Sequence, residues 1–365
     1  MTLSRLSVSH LRNIIRVDLE LGPGVNLVNG DNGSGKTSLL EAVYFLGSGR
    51  SFRSHRLDPV INRDAQGCTV FGVLEQGDRV HRVGVYRGRD GSRDIKVNSE
   101  VVSRASELAR VVPALMLGPD TVDVLLGPPA LRRRFLNWGL FHVEPRFLLD
   151  WDIATRCLKQ RNSLLRRHVA SNSEIGVWTD QLCDVSLRLH DYRIKYFEAF
   201  ATRFAVICER LSGLANVTCH YRRGWNIERE LGDVYVDQLD ADKKRGFTGS
   251  GIHKAEMELL VNGVPAVLVC SRGELKVLAW ALYLCQGRVS TELGGVTGLV
   301  YLVDDLAAEL DAAHREKVCS VLLESGCQVI ATGIELDQLL NCWGGATTKL
   351  FHVEHGDIRV MENQV

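Results

Sequence analysis

None of the ten cysteines stands in a C-x-x-C pair, which argues against a zinc site and against a disulfide framework. No apolar run approaches the ~20 residues of a membrane-spanning helix. The opening Met1-Thr2-Leu3-Ser4-Arg5-Leu6 alternates polar and apolar residues and lacks the unbroken apolar core of a secretory signal. A reducing cytoplasm is the expected setting. An excess of charge is missing as well: 44 Lys and Arg face 44 Asp and Glu, so nothing global advertises a polyanionic partner.

What is present is ordinary in bulk and uneven in detail. A chain of 365 residues, 45% hydrophobic and 24% charged, has room for two or three globular domains. Between Pro129 and His168, nine Lys and Arg meet three acids, a local net charge of +6; from Val300 to Asp337, eight acids meet only Arg315 and Lys317. That division suggests a basic working face on a neutral body.

The densest signal runs from Val25 to Glu41. A short apolar strand leads into Gly30-Asp31-Asn32-Gly33-Ser34-Gly35-Lys36-Thr37, followed by Ser38 and an apolar helix. This fits G-x-x-x-x-G-K-[ST], the phosphate-binding P-loop, with the flanking strand and helix that such a match requires. Glycines at both ends let successive N–H groups point inward, and the helix N-terminus adds partial positive charge. Lys36 is the candidate for the β- and γ-phosphates of a triphosphate, and the Thr37 hydroxyl for a magnesium position.

Around that stretch the chain divides into zones. Residues 3–8 and 16–21 read as strands flanking Leu11-Arg12-Asn13, and Thr69 to Val97 alternates as an antiparallel meander. A glycine-hinged basic loop, Gly49-Arg50-Ser51-Phe52-Arg53, follows the P-loop helix. Val111 to Leu117 reads as a buried strand. From about Pro129 to Leu214 the period turns helical: Leu182, Val185, Leu189, Tyr192 and Tyr196 recur at steps of three and four, and the seam continues onto Phe200, Phe204, Ile207 and Leu211. With an interruption at 171–176, this is a short helical hairpin. Strand character returns at Val217 to Tyr221 and Glu256 to Val261.

Two later pieces carry chemistry. Leu299 to Val303 is continuously apolar and ends in Asp304-Asp305, the pattern of a buried parallel strand whose end faces a nucleotide. Asp304 is the candidate metal carboxylate; Asp305 could act on the attacking water as general base or by orienting it. Ser271-Arg272-Gly273-Glu274 opens a long apolar helix, and Glu309-Leu310-Asp311 follows the paired acids.

A P-loop, a distant S-x-G-[EQ] helix start, an apolar strand ending in two acids and an L-D turn, in that order, resemble an ATP-binding-cassette ATPase. Within that class, Leu11-Arg12-Asn13-Ile14, the P-loop block through Tyr44, Gly49 to Arg53, Arg132-Arg133-Arg134-Phe135-Leu136-Asn137-Trp138-Gly139, Leu158-Lys159-Gln160-Arg161-Asn162, the Ser271 helix start and the Asp304-Asp305 segment are similar to the RecF family of bacterial recombination mediators. The resemblance spans nearly the whole chain. It implies an α/β fold: an ATP-binding-cassette head with a mixed sheet around the P-loop and an antiparallel meander, formed by residues 1–116 and 217–365, with 117–216 inserted as a helical arm. It also implies ATP and magnesium as cofactors, ATP-dependent pairing of two copies with Ser271 to Glu274 meeting the partner's nucleotide, weak DNA-dependent hydrolysis, RecO- and RecR-like partners, and roles in DNA repair, replication restart and SOS induction. Arg12 and Asn13 join the nucleotide-binding set. The family usually has Gly-Pro-His-[RK]-Ala-Asp where this chain has Gly251-Ile252-His253-Lys254-Ala255-Glu256, and Gln where it has Glu274. Thr332-Gly333 stands where transporter ATPases have a histidine.

For DNA the candidates are Arg50, Arg53 and Arg56 on the basic loop, with Arg132, Arg133, Arg134, Lys159, Arg161, Arg166 and Arg167 on the helices. Any one of these clusters is explained as a solvated helix face; together they suggest sequence-tolerant, salt-sensitive phosphate contact. Two rivals remain. A transporter's ATPase subunit has its signature far closer to the P-loop than the roughly 235 residues between Lys36 and Ser271, and a rod-forming DNA-tethering ATPase needs a much longer hairpin.

Overall fold

The computed structural model describes residues 1–54, 56–167, 171–344, 346 and 348–361. Two compact units emerge: one formed by Met1–Thr121, Lys276–Thr291 and Val296–Val365, the other by Val122–Leu275 with Glu292–Gly295.

The first unit is built on two six-stranded sheets. One is the expected meander, antiparallel throughout, in the order Ile14–Glu20, Thr2–Leu11, Gly67–Gln76, Arg79–Gly88, Arg93–Val97 and Glu100–Val101. The other is mixed. Its strands Thr348–Glu354, Val25–Asn29, Gln328–Gly333, Val300–Val303 and Ala114–Leu117 run parallel, and Asp357–Met361 returns antiparallel at one edge. All four residues of Val300–Val303 and all six of Gln328–Gly333 are buried. That explains why the former reads as an unbroken apolar run rather than an alternating one.

The helix Lys36–Ser48 lies in one apolar core with both sheets. Its Leu39, Leu40, Val43, Phe45 and Leu46 share a cluster with Leu3, Leu6 and Val70 of the meander and with Val300, Leu302 and Ile330 of the mixed sheet. Ten of its thirteen residues are buried, so its apolar residues do not form one stripe.

The longest helices of the second unit are Pro129–Val143, Phe147–Leu165 and the 41-residue Asn172–Ser212. The expected interruption at 171–176 is instead the start of the long helix: the Ser171 hydroxyl accepts from Glu174 N and the Glu174 carboxylate accepts from Ser171 N, a capping box. Polar residues that resemble a loop in composition are here an N-terminus. The apolar seam is buried as its period requires, with one exception. Tyr192 is only half-buried and donates to Asp150 Oδ2 at 2.9 Å, while Arg193 takes the inward position at 1% exposure. Its guanidinium donates to Ile252 O and Asn137 Oδ1, both at 2.9 Å.

Residues 217–275, grouped by sequence with the head, fall in this second unit. Val217–Arg222 pairs with Glu256–Val261 in a three-stranded sheet that joins neither sheet of the first unit. Arg132 fastens that sheet to the helices through a two-pronged pair with Glu256, at 2.6 and 3.1 Å.

Candidate functional site

The P-loop strand delivers Gly30 against the C-terminal hairpin. A Cβ at Gly30 would stand 2.3 Å from Val353 O, so no other residue fits without moving the backbone. Gly35 has φ +126°, outside the range of ordinary side chains. Asn13 clamps the same loop: its Nδ2 donates to Ser34 O at 2.9 Å, and its Oδ1 accepts from Ser38 Oγ at 2.8 Å. Gly356 N donates to Ser34 O from the other side at 2.7 Å.

The loop borders a cleft of about 690 Å³. Lys36 Nζ donates to Gly30 O at 2.6 Å and Asp31 O at 2.9 Å. Burial draws its pKa below the ordinary lysine value, opposed by the nearby Asp305, Asp304 and Asp31. Across the cleft, Thr37 Oγ1 lies 3.0 and 3.1 Å from the two oxygens of Asp304. Thr332 Oγ1 donates to Asp304 Oδ1 at 2.9 Å and accepts from Asp305 N at 2.8 Å. Asp305 has φ +47°, a left-handed conformation that aspartate tolerates better than most residues. It turns the chain out of the buried strand at the cleft rim.

Burial raises the Asp304 pKa despite the hydrogen bonds from Thr332 and Thr37. Its ionised form is therefore disfavoured by folding, a penalty that is full above the folded-state pKa and gone below the unfolded one. Nucleotide-free Asp304→Asn is accordingly expected to melt at a higher temperature than the parent at neutral pH. The gap should narrow as the pH falls toward the ordinary aspartate range. Thermal melts at several pH values, without nucleotide, measure it.

The residues fit a magnesium-bound triphosphate. Among the described residues the buried Ser34 hydroxyl has no hydrogen-bond partner, in a loop of the kind whose amides face anions. Thr37 and Asp304 offer adjacent hard oxygen donors of the kind magnesium takes. Lys36, Thr37, Asp304, Asp305, Arg12, Asn13 and Ser38 all line this one cleft.

The basic residues named for DNA separate. Arg53 lines the cleft and reaches toward Glu41, 3.9 Å away. Arg12 grips the same fully buried Glu41 at 2.7 and 2.8 Å, and Ser51 Oγ bonds it as well. Arg161 is completely buried and pairs with Asp242 at 2.8 Å, which corrects its assignment as a DNA contact: it has no surface to offer. Arg132 is engaged by Glu256, and Arg133 donates to Ala255 O at 3.3 Å. Arg50, Arg56, Arg134, Lys159, Arg166 and Arg167 are exposed.

In the second unit, Ser271 to Gly273 are exposed, and nothing lies within 4 Å of the Cβ position at Gly273. Ser271 and Glu274 form a capping box in which Ser271 N and Oγ donate to Glu274 Oε2 at 2.7 and 2.8 Å. These bonds, the backbone one first, lower the Glu274 pKa; the glutamine of the related pattern could close the same box.

Thr332 was missed by sequence reasoning, though its place at the end of a core strand, where transporters have a histidine, was the available signal. The stretch 59–64 was missed too. It carries no local pattern and joins the cleft because Arg12 N donates to Val60 O at 2.8 Å and Asn62 Nδ2 to Arg12 O at 2.7 Å.

Fold and site together define a P-loop head of the ATP-binding-cassette class shared with SMC proteins. The model for the RecF/RecN/SMC N terminal domain matches residues 2–359. A DNA replication and repair protein RecF from Stutzerimonas stutzeri is 42% identical over 360 residues, covering 98% of this chain and 97% of its own length. A RecF from Cellvibrio japonicus is 39% identical over 362 residues, covering 98% and 99%. The chain belongs to the RecF family. Its fold is similar to a solved structure of the recombination mediator protein RecF with ATP, at a TM-score of 0.87, 22% identity and coverage of 99% and 98%. It is also similar to an Smc head bound to a winged-helix domain of ScpA, at 0.60, 17% identity and coverage of 99% and 97%.

Proposed function

We propose that this chain is an ATP-dependent DNA-binding recombination mediator. It binds Mg-ATP in the cleft, pairs with a second copy when it does so, and holds gapped or single-stranded DNA in the paired state. The observation that carries the reading is the Thr37–Asp304–Thr332 cluster set against a P-loop whose Ser34 hydroxyl is buried and unpartnered. Lys36 neutralises the terminal phosphates. Magnesium, when bound by Thr37 and Asp304, supplies charge neutralisation and orientation of the phosphates. Asp305 orients or deprotonates water at the cleft rim, and the exposed Ser271–Gly273 helix start caps the nucleotide of the partner copy. Arg12 and Arg53, joined through Glu41, link the cleft to the loop bearing Arg50 and Arg56. Family membership and the RecFOR pathway named for the solved likeness support partners of the RecO and RecR type.

Native mass with and without Mg-ATP, followed by DNA binding at two salt concentrations, tests this. The expected results are a doubled mass with ATP and affinity that falls as salt rises. Asp305→Asn is expected to slow turnover about 100-fold, the lower end of the range for a general base, while prolonging the paired state. A protein that stays single at saturating Mg-ATP with DNA present contradicts the proposal, and unchanged hydrolysis in Asp305→Asn removes that residue from the chemistry.

A further inference from the structure

Residues Lys243 to Lys254 include four cations, Lys243, Lys244, Arg245 and Lys254, and no acid. They turn about Phe247, whose ring is left 45% exposed. Arg245 Cζ stands 5.8 Å from the ring centroid and Lys254 Nζ 5.6 Å, so two cations accompany a partly exposed aromatic ring. Lys243, Lys244 and Arg245 form the last turn of the helix Leu239–Arg245. The helix dipole accounts for their position there, but not for an apolar ring presented to water beside them.

The ring is held out by a buried network. Thr248, at 1% exposure, accepts from Arg161 Nη1 at 2.6 Å and donates to Asn162 Oδ1 at 2.7 Å. Thr248 N donates to the same Asn162 oxygen at 2.8 Å, and Gly249 N to Asp242 Oδ1 at 3.0 Å. His253 Nε2 lies 3.1 Å from Thr248 O. Burial presses the His253 pKa down to about 4, so at neutral pH the positive charge of the loop comes from its Lys and Arg alone. Asp242 is fully buried and shared between the buried Arg161 and the exposed Arg245, so its one charge only partly offsets the cations at the surface. A segment of this kind matches a ligand with both flat apolar faces and regularly spaced negative charge.

We propose that Phe247, with Arg245 and Lys254, is a stacking contact for an unpaired base of a single-stranded polynucleotide. The ring lies against the base and the cations meet the flanking phosphates. The inference rests on the DNA-binding reading above and adds a base-stacking contact, with its residues, that an unpaired strand alone can use. In a duplex the base faces cover one another, so only the cations find a partner there.

The test uses the full chain in Mg-ATP, titrated against a labelled oligothymidylate and a duplex of equal length. Phe247→Ala is expected to weaken oligothymidylate binding about 5- to 150-fold, the loss of one stacked base, while duplex binding stays within about twofold. Phe247→Trp is expected to bind oligothymidylate at parental strength, with its added indole fluorescence quenched. An unchanged melting temperature in both variants shows that the loop is intact. Equal losses on the two ligands, or none on either, overturn the proposal. If the parent binds neither ligand, the DNA-binding reading itself fails. If the parent binds both and Phe247→Ala matches it, only the stacking role does.

Discussion

Replacing Lys36 with alanine is expected to weaken ATP binding by about 10- to 150-fold, the equivalent of losing one hydrogen bond to a charged group, and with it the ATP-driven pairing of two copies. The ammonium is already positioned without nucleotide, held by Gly30 O at 2.6 Å and Asp31 O at 2.9 Å. It therefore reaches the phosphates with little side-chain entropy left to lose. Lys36 itself lines the cleft, where water can take the place of the ammonium in the variant, so the fold should persist. Titration calorimetry with ATP, a native mass measurement and a thermal melt separate these outcomes. Parental affinity together with normal pairing would remove the P-loop from the account of assembly.

Arg161→Met is expected to cost about 3–5 kcal/mol of stability, the range for removing one member of a buried ion pair. Arg161 and Asp242 are both fully buried and 2.8 Å apart, and Arg161 also holds Thr248 Oγ1 and Thr179 Oγ1, at 2.6 and 3.0 Å. Its guanidinium lies 5.1 Å from the centre of the Tyr235 ring. Without it, Asp242 keeps only Arg245 and Gly249 N as partners. The double variant Arg161→Met/Asp242→Leu should recover a large share of the loss, because no unpaired charge remains. Urea unfolding of the parent, the single and the double variant measures both effects. A single variant within about 1 kcal/mol of the parent would show that water enters the site.

These two residues bracket what sequence reasoning could reach. Lys36 was legible because its neighbours in space are also its neighbours in the chain. The apolar strand ending in Asp304-Asp305 was legible for a related reason, since a strand buried on both faces leaves an unbroken apolar run. The partners of Asp304 were less so. Thr37 lies 267 residues away and was named through the P-loop, whereas Thr332 carried no motif of its own. Arg161 shows the opposite failure. Its helix is basic and amphipathic, and the spacing of its side chains was right, yet an inward-facing Asp242, 81 residues later, turned a surface cation into a buried one. Arg193 did the same to the apolar seam of the long helix.

By itself, the sequence determined the phosphate-binding loop, the acidic strand end, the meander and the helical period, because each is set by backbone conformation and side-chain pattern over a few consecutive residues. Only the tertiary structure decided which arginines meet water and which meet carboxylates, that Thr332 bonds the Asp304 carboxylate and the Asp305 amide, that Arg53 borders the P-loop cleft, and that Phe247 stands exposed beside two cations. Helical spacing sets the direction of a side chain around its own axis. What waits in that direction is supplied by residues scores or hundreds of positions away, brought there by burial of the apolar core.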